Sequence, residues 1–208
     1  MENNFSVLMV CTGNICRSPF AEYLLVNLVQ DIKRVNVSSA GTNAMVGEKM
    51  SPETQTIAES YGVQNYESHR ARQLSEEILG ASDLILTMTR RQRRKVVELE
   101  PRVTRRVFTL REFARLVAAT TDEMLASDLA EVSFEGKQPF RAAVQSIALS
   151  RSQLSSISDP AEDEVVDPYG HALEVHQASA QQLVPAVNTL AKFLMRVSSG
   201  TVTSPQDC

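Results

Sequence analysis

Short apolar runs alternate with amphipathic stretches along the first half of the chain. Four of these runs are predicted to be strands: residues 5–10, 35–39, 83–88 and 107–108. Three stretches between them carry apolar residues at helical spacing: residues 19–33, 51–61 and 89–99. Alternation of this kind is typical of βαβ units. The pattern therefore predicts an α/β fold, with a parallel sheet of four strands and helices on both faces.

The second half of the chain carries helical patterns without further clear strands. Three segments are predicted to be helices: residues 110–118, 122–129 and 140–149. Gly136 and Pro139 are expected to break this series, and the serine-rich residues 150–158 indicate a linker or a mobile loop. We expect residues 1–208 to form a single domain, with a mostly helical insertion at residues 110–160. This insertion is expected to form a flap beside the functional site or an oligomer contact.

Composition and charge exclude several classes of protein. Of the 208 residues, 43% are hydrophobic and 22% are charged, as in ordinary globular domains. A net charge of −4 gives no general attraction to nucleic acid, and no apolar run has the length of a membrane helix. The N-terminal segment does not resemble a signal peptide, so a cytoplasmic protein is expected. The basic run at residues 90–95 lies on a predicted helix, which favours a solvated helix face over a nucleic-acid site.

The clearest chemical signal is the loop between the first strand and the first helix, Cys11-Thr12-Gly13-Asn14-Ile15-Cys16-Arg17-Ser18-Pro19. Backbone N–H groups of such a loop converge on one point, and the following helix N-terminus adds a positive field there. That field favours phosphate and the thiolate form of Cys11, while Arg17 can bind two phosphate oxygens. Gly13 is expected to permit the sharp turn. The loop therefore predicts a phosphate site with a nucleophile at its base.

This loop and four further blocks resemble the low-molecular-weight protein tyrosine phosphatase family. The blocks stand in the family's order: Ser39-Ala40-Gly41-Thr42, His69-Arg70-Ala71-Arg72-Gln73-Leu74, Asp83-Leu84-Ile85-Leu86-Thr87-Met88 and Asp167-Pro168-Tyr169-Gly170. The likeness covers residues 5–110 and 163–197. It implies the strand order 2-1-3-4, with the phosphate-binding loop after strand 1. It also implies metal-independent hydrolysis of phosphotyrosine in proteins through a phosphocysteine intermediate.

The resemblance assigns roles to the residues of the loop. Cys11 is implied as the nucleophile and Arg17 as the group that holds the transferred phosphoryl group. The implied phosphate-binding residues are Thr12, Gly13, Asn14, Ile15, Cys16, Arg17 and Ser18. Asn14 is implied to hold the strained backbone of the loop through side-chain hydrogen bonds. Ser39 and His69 are implied to join that network, although His69 also fits an ordinary hydrogen-bonded loop histidine.

A general acid must face this loop, because the leaving oxygen departs with negative charge. Two Asp-Pro pairs begin at Asp159 and Asp167, and Asp163 is a further rival. Only Asp167 is followed by Tyr-Gly, as in the family's acid loop, and it is therefore assigned as the acid. Tyr169 is expected to flank the substrate and favour an aromatic leaving group, or else to pack the turn. Met45 lies on the expected substrate-facing loop, where relatives often have an aromatic residue.

Three cysteines are too few for a disulfide framework. The resemblance implies a redox role for Cys16, which can form a reversible disulfide with Cys11; a plain buried thiol is the alternative. Cys208 is given no role. The three histidines lack zinc-ligand spacing, so neither a metal nor another cofactor is expected: His69, His171 and His176.

Two other functions share this kind of loop. One is a thiol-dependent arsenate reductase, and the other is a phosphate-sensing module without turnover. A thioredoxin-coupled reductase needs further downstream cysteines, and only Cys208 follows Cys16. For the phosphatase, the resemblance implies a phosphotyrosine-containing protein as partner, with a bacterial tyrosine kinase as one candidate. Nucleic acid and membrane are not expected partners.

Overall fold

The computed structural model describes residues 4–129, 137–151 and 159–200. Its sheet has four parallel strands in the order β2-β1-β3-β4, which confirms the predicted fold. The strands are β1 (Phe5–Cys11), β2 (Val35–Gly41), β3 (Leu84–Thr87) and β4 (Val107–Thr109). Because β1 is central and all strands run the same way, the loop after β1 emerges at the carboxyl edge of the sheet, where α/β folds bind their ligands.

Eight helices are assigned in the described ranges. They are α1 (Arg17–Leu28), α2 (Pro52–Ser60), α3 (Glu76–Ala81), α4 (Arg90–Leu99), α5 (Leu110–Ala119), α6 (Asp122–Leu129), α7 (Gln138–Ser150) and α8 (Leu173–Ser199). Three short 3₁₀ turns join them at Tyr66–Ser68, Pro101–Arg106 and Pro160–Asp163. None of the helices within these ranges has the length and apolar character needed to cross a membrane.

Alternate residues of β1 enter two different cores. Val7 and Met9 belong to the larger core, which also contains Phe113 of α5 and Phe193 of α8. Leu8 belongs to the smaller core on the other face of the sheet. This period of two follows from the pleat of a strand that is buried on both sides. Helices therefore cover both faces, as predicted.

Side-chain caps explain where two helices begin. The Ser51 hydroxyl accepts a hydrogen bond from the N–H of Thr54 at the start of α2. Thr89 forms a capping box with Gln92 at the start of α4, in which each side chain accepts a backbone N–H. Helix α1 differs from its prediction, because it starts at Arg17 and ends at Leu28, five residues short of the predicted end.

Helices α5 and α7, both within the predicted insertion, take different places. The Arg111 guanidinium of α5 donates to the carbonyl oxygen of Glu164, three residues before Asp167, at 2.7 Å, whereas α7 packs at the opposite edge of the sheet, which does not support a flap formed by α7. Phe140 stacks on Phe5 at the start of β1, with ring centroids 5.2 Å apart. Arg141 pairs with Asp83, just before β3, at 2.7 Å. These contacts hold α7 at the amino edge of the sheet. Helix α7 starts two residues before its predicted start at residue 140, because Pro139 occupies the first turn, where its missing N–H costs nothing. The predicted linker falls mainly on residues 152–158, outside the described residues.

Candidate active site

The loop between β1 and α1 is shaped by Asn14. Asn14 has a φ of +57° and is fully buried. Gly13 does not have a positive φ, so the expectation that Gly13 provides the special turn conformation is wrong. Asparagine is one of the few residues that enter the left-handed region readily, because its short side chain bonds to nearby backbone. A glycine is needed instead at Gly41, where a Cβ atom would lie 2.5 Å from the carbonyl oxygen of Thr12.

The side chain of Asn14 makes three hydrogen bonds, two as a donor and one as an acceptor. Its Nδ2 donates to the hydroxyls of Ser18 at 2.9 Å and Ser39 at 2.8 Å. Its Oδ1 accepts from the backbone N–H of Arg72 at 2.9 Å. Ser39 in turn donates to Glu22 at 2.5 Å. Asn14 therefore joins the loop to β2 and to the segment before α3.

His69 supports the same residue from the backbone side. Its Nε2 lies 2.7 Å from the carbonyl oxygen of Asn14, and because a carbonyl only accepts, Nε2 carries the proton. Burial lowers the pKa of His69, which keeps the ring neutral near pH 7. Ser39 and His69 thus both contact Asn14, as the resemblance implied.

Two donors point at the sulfur of Cys11. The backbone N–H of Asn14 lies 3.2 Å from Sγ, and the Ser18 hydroxyl lies 2.9 Å from it. Since Ser18 Oγ already accepts from Asn14, its own hydrogen is free to face the sulfur. Both groups are therefore placed to donate a hydrogen bond to the sulfur.

Arg17 is almost completely buried, with 3% of its side chain exposed. Its Nη1 donates to the carbonyl oxygen of Val165 at 3.2 Å, and its Nη2 pairs with the carboxylate of Asp167. Its Nε is buried without a hydrogen-bond partner in the described part of the chain. A buried, unsatisfied guanidinium N–H is costly, so this atom fits a place where a ligand oxygen binds.

One cavity of about 300 Å³ brings the predicted residues together. Its walls include Cys11, Arg17, Asp167, Tyr169 and Met45, together with Thr12, Gly13, Ile15, Cys16 and Asn43. Tyr169 and Met45 are partly exposed at its rim. Gly170 follows Tyr169 with a φ of +76°, which lets the chain turn away from the cavity.

The structure separates Asp167 from its two rivals. The carboxylate of Asp159 accepts the N–H of Ala161 and caps the 3₁₀ turn that follows. Asp163 is buried and pairs with Arg115 at 3.3 Å. The side chain of Asp167, by contrast, is 53% exposed and faces the cavity that contains Cys11.

Cys16 is a buried thiol with a partner of its own. Burial raises its pKa, and its Sγ lies 3.5 Å from the hydroxyl of Ser51, to which it donates. Cys11 and Cys16 are both free cysteines here, whereas Cys208 lies outside the described residues. Within the described ranges, no three His, Cys, Asp or Glu side chains cluster as metal ligands do.

His176 contacts the acid loop, and no motif around His176 predicts this contact. Its Nδ1 lies 3.0 Å from the hydroxyl of Thr54, and its ring also bonds to the backbone of Pro168. Thr54 accepts from Ser51, which bonds Cys16. Burial lowers the pKa of His176. This series of hydrogen bonds connects the acid loop to the phosphate loop. In the sequence, only the position of His176 near the start of α8 could have suggested the contact.

Asn14→Ala tests whether this network shapes the loop. We expect kcat/KM for an aryl phosphate to fall by about 10- to 100-fold and the free energy of unfolding by about 2 kcal/mol, because three polar partners lose their bonds to the side chain. Asn14→Gly is the matched variant, since it removes the side chain but tolerates the positive φ. Steady-state kinetics and thermal unfolding of both variants measure the effect. Near-normal kinetics in Asn14→Gly would show that the side-chain network is dispensable.

The fold and this cavity define a class of protein: an α/β protein with a cysteine and a buried arginine in the loop after its central strand. A family model described as Low molecular weight phosphotyrosine protein phosphatase matches residues 6–155. The chain therefore belongs to this family and is a cysteine-based protein phosphatase. The matched region ends before Asp167, so the placement of that residue rests on the structure.

Curated relatives include phosphatases named for two different substrates. Low molecular weight protein-tyrosine-phosphatase Wzb of Escherichia coli K12 is 40% identical over 107 residues, which are 51% of this chain and 69% of that protein. A protein-arginine-phosphatase of Geobacillus stearothermophilus is 30% identical over 155 residues, which are 74% of this chain and 92% of that protein.

Solved structures show the same division. YwlE arginine phosphatase from Geobacillus stearothermophilus matches with a TM-score of 0.66 and 25% identity, covering 94% of this chain and 96% of that one. Low molecular weight protein tyrosine phosphatase from T. tengcongensis matches with a TM-score of 0.63 and 28% identity, covering 91% and 99%.

Proposed function

We propose that the chain forms one phosphatase domain that hydrolyses phosphotyrosine in proteins through a phosphocysteine intermediate, without a metal or other cofactor. The observation that carries this proposal is that Cys11, Arg17 and Asp167 line the same cavity. Its rim residue Tyr169 offers an aromatic face to an aryl leaving group.

In the first step, the thiolate of Cys11 attacks phosphorus. The S–P bond forms as the bond from phosphorus to the phenolic oxygen breaks, and Asp167 gives its proton to that oxygen. Arg17 and the backbone N–H groups of residues 12–18 stabilise the equatorial oxygens. Because the phosphate needs the donors of Arg17, its binding replaces the ion pair between Arg17 and Asp167.

In the second step, water attacks the phosphorus of phosphocysteine. Asp167, now a carboxylate, takes a proton from the water as the S–P bond breaks. Inorganic phosphate leaves and the Cys11 thiolate is restored. Neither step oxidises or reduces any group, so the cycle needs no redox partner. Cys16 takes no part in this cycle, and its disulfide with Cys11 remains a proposal about protection from oxidation.

The substrate protein and the cell compartment belong to the proposal as well. A free, reactive thiol persists best in a reducing compartment, which supports a cytoplasmic enzyme. The arsenate reductase and the phosphate-sensing module are not favoured, because the relatives described above are named as protein phosphatases. A bacterial tyrosine kinase remains a candidate substrate.

Substrate choice is tested with matched phosphopeptides. We expect the protein to hydrolyse a phosphotyrosine peptide in the presence of a metal chelator, at least about tenfold faster in kcat/KM than the same peptide carrying phosphoarginine, because Tyr169 favours an aromatic group. Release of inorganic phosphate measures both rates. Faster release from phosphoarginine would replace the proposed substrate with that of the arginine phosphatase relative. Reduction of arsenate by an added thiol, without phosphate release, would overturn the phosphatase proposal.

A further inference from the structure

The basic run on α4 separates into paired and unpaired cations. Arg93 binds Glu112 at 2.8 Å, and Arg94 binds Glu98 at 2.7 Å. Arg91 and Lys95 are exposed, and neither has an acidic partner within the described ranges. They stand one turn apart, a spacing that places their side chains next to each other on the helix surface.

These two unpaired cations line a cavity next to the catalytic one. The second cavity has a volume of about 470 Å³, and its lining includes both Arg91 and Lys95. Three residues line both cavities: Thr12, Arg17 and Asp167. An extended substrate that places a phosphoryl group over Cys11 can therefore continue past Arg17 towards α4.

The electrostatic balance of this second cavity favours an anion. Apart from the Arg17–Asp167 pair, its charged lining residues are Arg91, Lys95 and Glu164. Glu164 is held by the backbone N–H of Arg90, which binds its Oε1 at 3.0 Å. Two cations thus face one carboxylate that is already hydrogen-bonded.

We propose that Arg91 and Lys95 form a subsite for an acidic group on the substrate protein, close in sequence to the phosphorylated residue. This inference rests on the proposed function and names its substrate class: phosphoproteins whose phosphorylated residue has acidic neighbours. The recognised chemistry is a carboxylate or a second phosphoryl group, because the guanidinium and ammonium groups bind both.

A peptide fits this surface better than nucleic acid does. The lining contains no aromatic side chain on which a base could stack. The chain is also acidic overall, with a net charge of −4. Two cations in a concave site are enough for one or two acidic side chains, but not for a strand of nucleotides.

The test compares the double variant Arg91→Gln, Lys95→Gln with the matched control Arg90→Gln, Arg94→Gln. Both remove two positive charges at the same spacing from α4, but the control residues do not line the cavity. The substrates are three peptides with one central phosphotyrosine and flanks that are acidic, uncharged or phosphorylated a second time. A small aryl phosphate reports the reaction without flanks.

We expect the Arg91, Lys95 variant to lower kcat/KM for the acidic peptide by about 3- to 20-fold, because two exposed ion pairs are lost. The aryl phosphate and the uncharged peptide should change by less than about twofold, and the control variant should retain the wild-type preference. Added salt should reduce the preference of the wild type. If the Arg91, Lys95 variant loses the preference for the doubly phosphorylated peptide but keeps that for the acidic peptide, the ligand of this subsite is a second phosphoryl group.

Three results would overturn this inference and leave the proposed function uncontradicted. One is equal turnover of acidic and uncharged peptides by the wild type. Another is an acidic preference that survives in the Arg91, Lys95 variant. The third is that the wild type binds a single-stranded oligonucleotide and the Arg91, Lys95 variant does not, while neither protein prefers the acidic peptide. Failure of the wild type to hydrolyse even the aryl phosphate would instead contradict the proposed function itself.

Discussion

Replacement of Cys11 by serine is expected to abolish turnover, with a loss of at least about 10⁴-fold in kcat. Serine preserves the size of the side chain, but its hydroxyl is not ionised near neutral pH and is a poor nucleophile towards phosphorus. The Asn14 N–H and the Ser18 hydroxyl face the sulfur of Cys11 in the wild type. In the variant, hydrogen bonds from these two groups are not enough to ionise the serine hydroxyl. Phosphate release from an aryl phosphate measures the loss.

The Cys11→Ser variant should still bind its substrate, because Arg17 and the loop backbone remain in place. Inorganic phosphate should therefore raise its melting temperature, and a phosphotyrosine protein should remain bound to it in a pull-down. Cys16→Ser provides the control, since Cys16 is a protonated thiol bonded to Ser51 and is expected to keep turnover within about tenfold of the wild type. If Cys11→Ser kept turnover near the wild-type level, the sulfur would not be the nucleophile.

The sequence allowed the loop chemistry to be predicted because that chemistry is local. Cys11, Arg17 and the strand and helix around them lie within a few residues, and strand β1 and the start of α1 fix their geometry. The helix starts two residues earlier than predicted, at Arg17, which brings its side chain into the buried first turn. The spacing of apolar residues cannot predict this earlier start of the helix, because a buried arginine does not count as an apolar position.

The resemblance implies that Asn14 holds the loop backbone, but residue type alone does not show that Asn14 has the positive φ. Glycine is the usual residue for a positive φ, and residue type therefore favours Gly13 for that conformation. The structure gives that conformation to Asn14, because Ser18, Ser39 and Arg72 surround its amide group with partners. Two of these partners are distant in the chain, and only the fold brings them together.

Long-range contacts also decide the place of the helices in the second half. The periodicity predicted that residues 140–149 are helical, but not which end of the sheet they cover. Stacking of Phe140 on Phe5 and pairing of Arg141 with Asp83 place α7 at the amino edge. The contact of His176 with Thr54 spans 122 residues. It could not be predicted either, because no local sequence pattern relates α8 to α2.

Replacement of Asp167 by asparagine is expected to slow hydrolysis of a phosphotyrosine peptide by about 10²- to 10⁴-fold in kcat. Asparagine keeps the shape of the side chain but can neither give a proton to the phenolic oxygen nor take one from water. The loss should shrink as the leaving phenol becomes more acidic, since a stabilised phenolate needs no proton. A series of aryl phosphates of graded leaving-group acidity measures this trend. Asp159→Asn is the control, because Asp159 only caps a 3₁₀ turn and should leave the series unchanged. An equal loss across the whole series would show that Asp167 acts through its ion pair with Arg17 rather than as the acid.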